Sequence, residues 1–195
     1  DWYGDGVCDD FCLRLDDDCA TDTRRPELGD DPTVMHTATI TMAEGLREAA
    51  KVGPVIEAKF EVKAGKLLLS TYPASSIATD AERTTFFERK GDATQPWAPP
   101  TVTFHDFKHL TRSSRDLTLL QLSALTLEGA VAAVDWLGDV YWAIPTIQEK
   151  RAGYGVWALI ADHPVYFFID GEGSNARQTI DLGAGPGAGA TDLRV

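Results

Sequence analysis

The segment ITMAEGLREAAKVGPVIEAKFEVKAGKLLLSTY, residues 40–72, carries the strongest secondary-structure signals of the chain. Thr41 and Glu44 have the spacing of a capping box, in which both side chains satisfy free backbone amides at the start of a helix. Apolar residues then recur at helical spacing until Gly53-Pro54 interrupts the pattern. The sequence therefore predicts a helix that begins after Thr41 and ends before Gly53.

A strict alternation of apolar and charged residues follows this helix. Residues 56–62 alternate Ile, Ala, Phe and Val with Glu and Lys, which predicts a strand with one buried and one solvated face. Ala64-Gly65 supplies a turn, and residues 66–72 return as the partner strand. Because lysines lie beside the glutamates, the pattern favours an ordinary solvated face over a catalytic one.

A second stretch, LTLEGAVAAVDWLGDVYWAIPTIQ at residues 125–148, matches the first when the sequence is shifted by 85 residues. Thr41 falls on Thr126, Gly53 on Gly138 and Ala58 on Ala143, without a gap. Such a match predicts an internal repeat. Further predicted elements are a helix over 104–123 and strands over 139–149, 154–161 and 164–169, whereas 73–103 is expected to be irregular. Pro145 inside its strand suggests a sheet edge, because proline donates no ladder hydrogen bond.

The repeat predicts an α+β fold made of two helix-plus-antiparallel-sheet modules. The expected domains are a Cys/Asp-rich element (1–20), a linker (21–35), module 1 (36–103), module 2 (104–175) and a glycine-rich tail (176–195).

Composition narrows the range of functions. The chain has 195 residues, 44% of them apolar, and a net charge of −12. Nucleic-acid binding needs clustered Lys and Arg, and the sequence has no such cluster. The sequence contains no run of 18 apolar residues, so it predicts no helix that spans a membrane. The sequence contains no recognisable arrangement of a nucleophile, a general base and a general acid. The chain is therefore expected not to be an enzyme.

The first nineteen residues, DWYGDGVCDDFCLRLDDDC, contain seven aspartates and all three cysteines. Asp1, Asp5, Gly6, Val7 and Asp9 follow the spacing of a calcium-binding loop, in which oxygen ligands surround a hard cation and glycine permits a sharp turn. Tyr at position 3 and Cys at position 12 exclude a complete EF-hand. Calcium would relieve repulsion among the carboxylates. A solvated acidic arm with one disulfide is the alternative, and zinc lacks a fourth ligand.

This stretch resembles the aspartate-rich repeats of thrombospondins in GDGVCDD and the Lin-12/Notch repeat in GDGVCDDFC…DDDC. The second resemblance implies a disulfide between Cys8 and Cys19. It leaves Cys12 unpaired or bonded to another chain, since only half of the family's cysteines are present. It also implies a calcium site, and the full predicted ligand set is Asp1, Asp5, Val7, Asp9, Asp16 and Asp18.

The body of the chain, over roughly residues 36–170, resembles tandem PepSY-like domains. In these domains an apolar–Thr–apolar start opens a helix, and a V-x-E-A-x-F strand with a hairpin partner follows, as in ITMAEGLREAAKVGPVIEAKFEVKAGKLLLSTY. The second copy departs more, since it lacks the Glu-Ala pair. The resemblance implies a secreted or periplasmic binding module without catalytic residues. Together with the acidic N-terminal segment, the chain looks like secreted bacterial proteins, those of myxobacteria among them.

Adjacent aromatic residues in the second half must point to opposite faces of a strand. One member of each pair should therefore face another repeat, another chain or water, and such exposed apolar surface usually marks an interface. The predicted interface residues are Tyr141, Trp142, Trp157, Tyr166 and Phe168.

These patterns predict an extracytoplasmic protein, since clustered cysteines suit an oxidising compartment and a start at Asp1 suggests a removed signal peptide. The predicted role is self-assembly into an oligomer or extracellular fibre, with an N-terminus stabilised by Ca²⁺. The alternative is a PepSY-type module that binds or inhibits a peptidase, or binds a peptide, by adding a strand at a sheet edge.

Overall fold

The computed structural model describes residues 28, 32–74, 86–96, 101–105, 119–148, 151–172, 179–182 and 191–192. For residue 86 and for residues 101–105, 179–182 and 191–192 it describes the backbone alone. The helices are a 3-10 helix (Pro32–Thr37), α1 (Met42–Ala50) and α2 (Leu127–Ala132), and residues 119–122 are also helical. The strands are β1 (Val55–Lys63), β2 (Lys66–Pro73), β3 (Phe86–Asp92), β4 (Thr101–His105), β5 (Asp139–Gln148), β6 (Arg151–Ile160), β7 (His163–Asp170), β8 (Thr179–Leu182) and β9 (Thr191–Asp192).

All nine described strands join one antiparallel sheet in the order β4-β3-β2-β1-β5-β6-β7-β8-β9. Neighbouring strands follow one another along the chain except at the centre, where β1 lies beside β5. That central ladder is short, with Ala58 opposite Ala143 and Lys59 opposite Trp142. The β5–β6 ladder, by comparison, runs from Asp139–Leu159 to Gln148–Arg151.

The prediction of two helix-plus-sheet modules is wrong. The structure is dominated by one continuous sheet, and the strands of both halves belong to it. The helices are short and contact each other as well as the strands. A single buried cluster extends from Leu46 and Leu69 in the first half to Val156 and Phe167 in the second. Two separate modules would have divided this core, because each would have had to bury its own apolar face.

The start of α1 confirms the predicted capping box. The Thr41 hydroxyl accepts a hydrogen bond from the Glu44 amide at 3.2 Å, and the Thr41 amide donates to the Glu44 carboxylate at 2.8 Å. α2 begins with a simple N-cap at Thr126, whose hydroxyl accepts a hydrogen bond from the Gly129 amide at 3.1 Å. Both helices pack on the same side of the sheet. On that side, a Cβ added to Gly45 of α1 would clash with the Leu69 side chain.

The expectations for residues 73–103 and for the start of the helix over 104–123 are wrong. Residues 73–103 are not irregular throughout, since they contain β3 and most of β4. The helix predicted over 104–123 cannot begin at residue 104, because residues 104 and 105 belong to β4. β4 thereby crosses the boundary expected between residues 103 and 104. Residues 119–122, near the predicted end of that helix, are helical.

Pro145 does not mark a sheet edge, because β5 lies in the middle of the sheet. Pro145 pairs with Tyr154 of β6. On its other side, β5 meets β1 only at Trp142 and Ala143, before the proline. Proline has no amide hydrogen to donate, which agrees with a ladder that ends before it.

Candidate functional site on the far face and at the edges of the sheet

We call the side of the sheet opposite α1 and α2 the far face. Its position follows from side-chain alternation: Leu69 contacts α1, so its neighbours Leu68 and Ser70 point the other way. By the strand pairings, Lys59 and Trp142 also lie on the far face. This face brings together most of the half-buried charged groups and stacked aromatic rings among the described residues.

Charged residues of β1 and β3 and hydroxyl groups of β2 form a connected network on the far face. The Lys90 ammonium of β3 lies 2.6 Å from the Glu61 carboxylate of β1 and 2.8 Å from the Glu88 carboxylate. The Ser70 hydroxyl donates to Glu61 at 3.0 Å, and the Tyr72 hydroxyl donates to Glu88 at 3.2 Å. The side chains of Glu88, Glu61 and Lys90 are 15%, 21% and 27% exposed, so the network is shielded from bulk water.

The network stabilises its charged forms. Burial alone would raise the pKa of Glu61, but hydrogen bonds from Lys90 and Ser70 and the charge of Lys59 lower it below its usual value. Burial likewise opposes the charge on Lys90, yet Glu61 and Glu88 raise the pKa of this lysine. A carboxyl group that acts as a general acid near neutral pH needs a raised pKa. Glu61 has the opposite shift, which suits a structural ion pair.

Tyr72 stays protonated over the usual pH range. Burial and the nearby carboxylates of Glu88, Glu57 and Glu61 raise the pKa of its hydroxyl. The Lys59 ammonium lies 5.7 Å from the centre of the Tyr72 ring, a cation–π distance. Tyr72 therefore acts as a hydrogen-bond donor that joins β2 to β3.

Three aromatic rings continue the far face across the second half of the sheet. The rings of Trp142 and Trp157 are stacked, with centroids 4.4 Å apart and planes inclined by 24°. Tyr166 follows at 4.6 Å from Trp157. The Trp142 indole N–H donates to the Glu57 carboxylate at 3.0 Å, which links this stack to β1.

Gly155 of β6 leaves the space that this stack requires. A Cβ at this position would lie 2.8 Å from the Trp157 ring and 3.1 Å from the Tyr166 ring. Both contacts are shorter than ordinary van der Waals separations. The glycine therefore lets the two rings lie close to the sheet.

The five predicted interface residues all contribute to packing within the chain. Tyr141 is 2% exposed, Trp142 and Trp157 are 6% exposed, and Phe168 is fully buried. Tyr166 is partly buried and packs against the core. Little of their surface is available to a second chain, and their role at an interface stays a prediction.

The predicted calcium ligands and all three cysteines lie within residues 1–27, outside the described part of the chain. Within the described ranges, no three His, Cys, Asp or Glu side chains are grouped so that they could hold a metal ion. The calcium site and the Cys8–Cys19 disulfide stay predictions.

The two edges of the sheet differ. β4 forms one edge and has five residues, TVTFH, without lysine, glutamate, aspartate or proline. Its inner neighbour β3, FFERKGD, carries four charged residues. The other edge is β9, which has two residues, Thr191 and Asp192. Charged side chains usually protect edge strands from pairing with other chains. Here the charged side chains belong to β3, the inner neighbour of the edge strand.

Sequence patterns missed half of this site. Glu88 and Lys90 lie in a stretch expected to be irregular, because FFERKGD shows no apolar alternation. The strand of Glu57, Lys59 and Glu61 was predicted, but its charged face was expected to be solvated. The ion pairs across β1, β2 and β3 account for the difference.

The architecture is a wide antiparallel sheet with helices on one side and paired, shielded polar groups on the other. Comparison with models of protein families, with curated proteins and with solved structures finds no match for this chain. Among the described residues, no helix has the length and apolar character needed to cross a membrane.

Proposed function

We propose that this chain is a non-enzymatic, extracytoplasmic protein that associates with further copies of itself by adding strands at the β4 edge of its sheet. The observation that carries this proposal is the uncharged strand β4 at the end of a nine-stranded sheet. In an antiparallel ladder, alternate residues turn their N–H and C=O groups toward each neighbour. On the outer side of β4, no described strand pairs with these groups.

The distribution of charge supports this role. An edge strand that must not pair usually contains a lysine, an inward charge or a proline. β4 has none of these, whereas Glu88, Arg89, Lys90 and Asp92 occupy the strand beside it. Formal charges therefore oppose strand addition less at β4 than they would at β3.

The state of the far-face network supports a role other than catalysis. Its carboxylates are engaged by Lys90, Ser70, Tyr72 and Trp142. A catalytic carboxylate would need to be accessible to a substrate and to have a pKa suited to proton transfer. Glu61 is paired with lysine, and its pKa is lowered.

The extracytoplasmic location rests on the three clustered cysteines, since disulfides persist in oxidising compartments. Calcium at the acidic N-terminal segment belongs to the same proposal. It would neutralise aspartates close to the start of the chain and so reduce repulsion between associated copies.

Sedimentation velocity over a range of protein concentrations tests the proposal. We expect the wild-type chain to associate reversibly and the Val102→Lys variant to remain a monomer, because the new charge would lie in the edge strand. Val62→Lys is the matched control: Val62 is 41% exposed on β1, away from the edge, and this variant should associate like the wild type. A wild-type chain that stays monomeric both with calcium and with chelator would contradict the proposal.

The alternative partner is an extended peptide or a peptidase segment at the same edge. Strand addition through backbone hydrogen bonds accepts many sequences. A chain that remains monomeric but binds an extended peptide, and loses this binding in Val102→Lys, would favour the peptide-binding function instead.

A further inference from the structure

We infer that self-association ends at a closed dimer, in which the β4 strands of two copies pair antiparallel about a twofold axis at Thr103. This inference rests on the proposed function and adds the symmetry, the register and the limit of assembly. It depends on three features of the described sheet: the sequence of β4, the difference between its two edges and the charge of the chain.

The sequence of β4 is complementary to itself in this register. Antiparallel pairing centred on Thr103 places Val102 opposite Phe104 of the second copy, and Thr101 opposite His105 of the second copy. Thr103 meets its own counterpart. Pairs of an aromatic with a β-branched residue and pairs of threonines are among the favourable cross-strand pairs. No pair in this register joins two like formal charges when histidine is neutral.

A shift of this register loses these pairs. If the second strand slides by two residues, the axis moves to Val102 or Phe104, and the ladder shortens from five pairs to three. Such a shift places Thr103 opposite Thr101 or opposite His105 of the second copy. Both Val–Phe pairs are lost, so the register centred on Thr103 is the most stable one available to this strand.

The edges of the sheet limit growth beyond two copies. A filament needs two different surfaces that fit each other, so that each copy leaves a free surface for the next. Here the second edge would be β9, which offers two residues, one of them Asp192. Between the described strands, a β4–β9 contact would therefore form two pairs, against five for β4–β4. Once two β4 strands are paired, the long edge of each copy is occupied.

Charge predicts the salt dependence of the dimer. Each copy has a net charge of −12, so two copies repel each other as they approach. Strand β4 contains no Lys, Arg, Asp or Glu, so the contact between two β4 strands would have no ion pairs for salt to weaken. Because salt screens repulsion over about 10 Å at 0.1 M, the dimer should become tighter as the salt concentration rises.

Disulfide trapping tests the register. In an antiparallel ladder, directly opposite Cα atoms lie about 4.5–5.5 Å apart, which is within the range of a disulfide. Thr103→Cys should therefore crosslink to Thr103→Cys of the second copy under mild oxidation. Thr101→Cys is the matched control. Its counterpart in the second copy lies four residues away along the strand, about 13 Å at about 3.3 Å per residue, so it should not crosslink.

The readout is mass spectrometry of the linked peptides, which separates this bond from bonds of Cys8, Cys12 or Cys19. The inference is supported if the Thr103→Cys peptide links to itself, if the trapped species sediments as a dimer, and if salt promotes the dimer. Crosslinking of Thr101→Cys, or a continuous series of larger oligomers through β4, would overturn it. If the wild type associates but Thr103→Cys fails to crosslink, this inference fails while the proposed function stands. If the wild type is monomeric, both fail.

Discussion

At the scale of single residues, the turn between β1 and β2 contains local strain. Ala64 has a φ of 51° and Gly65 a φ of 73°. Two-residue hairpin turns favour positive φ at both positions because their twist matches that of the strands. Glycine adopts such a φ without cost, whereas alanine does so at a cost of roughly 1–2 kcal/mol. Asparagine is better tolerated there, and Asn-Gly is a preferred sequence for this turn.

We therefore expect Ala64→Asn to stabilise the protein by about 0.5–1 kcal/mol, because asparagine adopts positive φ more readily than alanine does. For a chain of this size, the melting temperature would rise by roughly 1–4 °C. Thermal unfolding followed by circular dichroism measures this effect. Ala64→Val is the opposing control, since a β-branched residue disfavours positive φ and should lower the melting temperature. Equal melting temperatures for all three proteins would contradict the strain at this turn.

At the scale of elements, the Lys90–Glu61 ion pair joins β3 to β1 across β2, and hydrogen bonds from Ser70 and Tyr72 link β2 to these strands. Glu61 has its pKa lowered in the folded protein, so the stability from this group is present above its unfolded value. That stability is lost as the pH falls through the folded pKa of Glu61. Lys90 has a raised pKa, so its contribution is present below its unfolded value and is lost as the pH rises through the folded value. The network should therefore stabilise the sheet most between these limits.

Glu61→Gln tests this linkage. We expect the variant to be less stable than the wild type at neutral pH, because Lys90 loses a partner at 2.6 Å. The difference should shrink as the pH falls through the lowered pKa of Glu61, since Glu61 then becomes protonated in the wild type. Urea denaturation at each pH gives the comparison. Glu48→Gln is the matched control: Glu48 also pairs with a lysine, but on the exposed surface of α1, and should have little effect. A difference independent of pH would contradict the assigned role of Glu61.

At the scale of the whole molecule, one sheet and one core span both halves of the chain. The β1–β5 ladder is short, yet α1 and α2 contact each other beside it, and Trp142 donates to Glu57 across it. Packing on one side and a hydrogen bond on the other reinforce the central ladder. We expect the described elements to unfold together, as single cooperative cores do.

Leu69→Ala tests this cooperativity. Leu69 is fully buried against α1 in the first half, and its truncation should cost about 2–5 kcal/mol. The stacked Trp142 and Trp157 lie in the second half and provide a near-ultraviolet circular dichroism signal. In a single cooperative unit, this signal and the far-ultraviolet signal should shift together to lower urea. If the tryptophan signal stayed at the wild-type midpoint while part of the far-ultraviolet signal moved, the two halves would be independent.

Local features of this protein follow from the amino-acid sequence alone. The Thr41–Glu44 capping box, the Ala64-Gly65 turn and the alternation of β1 depend on neighbouring residues, and each is present in the structure. The 85-residue correspondence also has a counterpart, since Ala58 lies opposite Ala143 in the central ladder. This correspondence could not show that β1 and β5 would pair. The alternation of apolar and polar residues within each strand is the same whether the two strands belong to one sheet or to two.

Only the tertiary structure decided which residues form the candidate site. Glu88 and Lys90 belong to a strand without apolar alternation. Lys90 reaches Glu61, and Glu88 reaches Tyr72, through pairings between residues distant in the sequence. The edge position of β4 is likewise a property of the strand order. Local patterns reflect short-range backbone and side-chain preferences. Strand order depends instead on long-range hydrogen bonding and the burial of one common core, which the sequence encodes only as a whole.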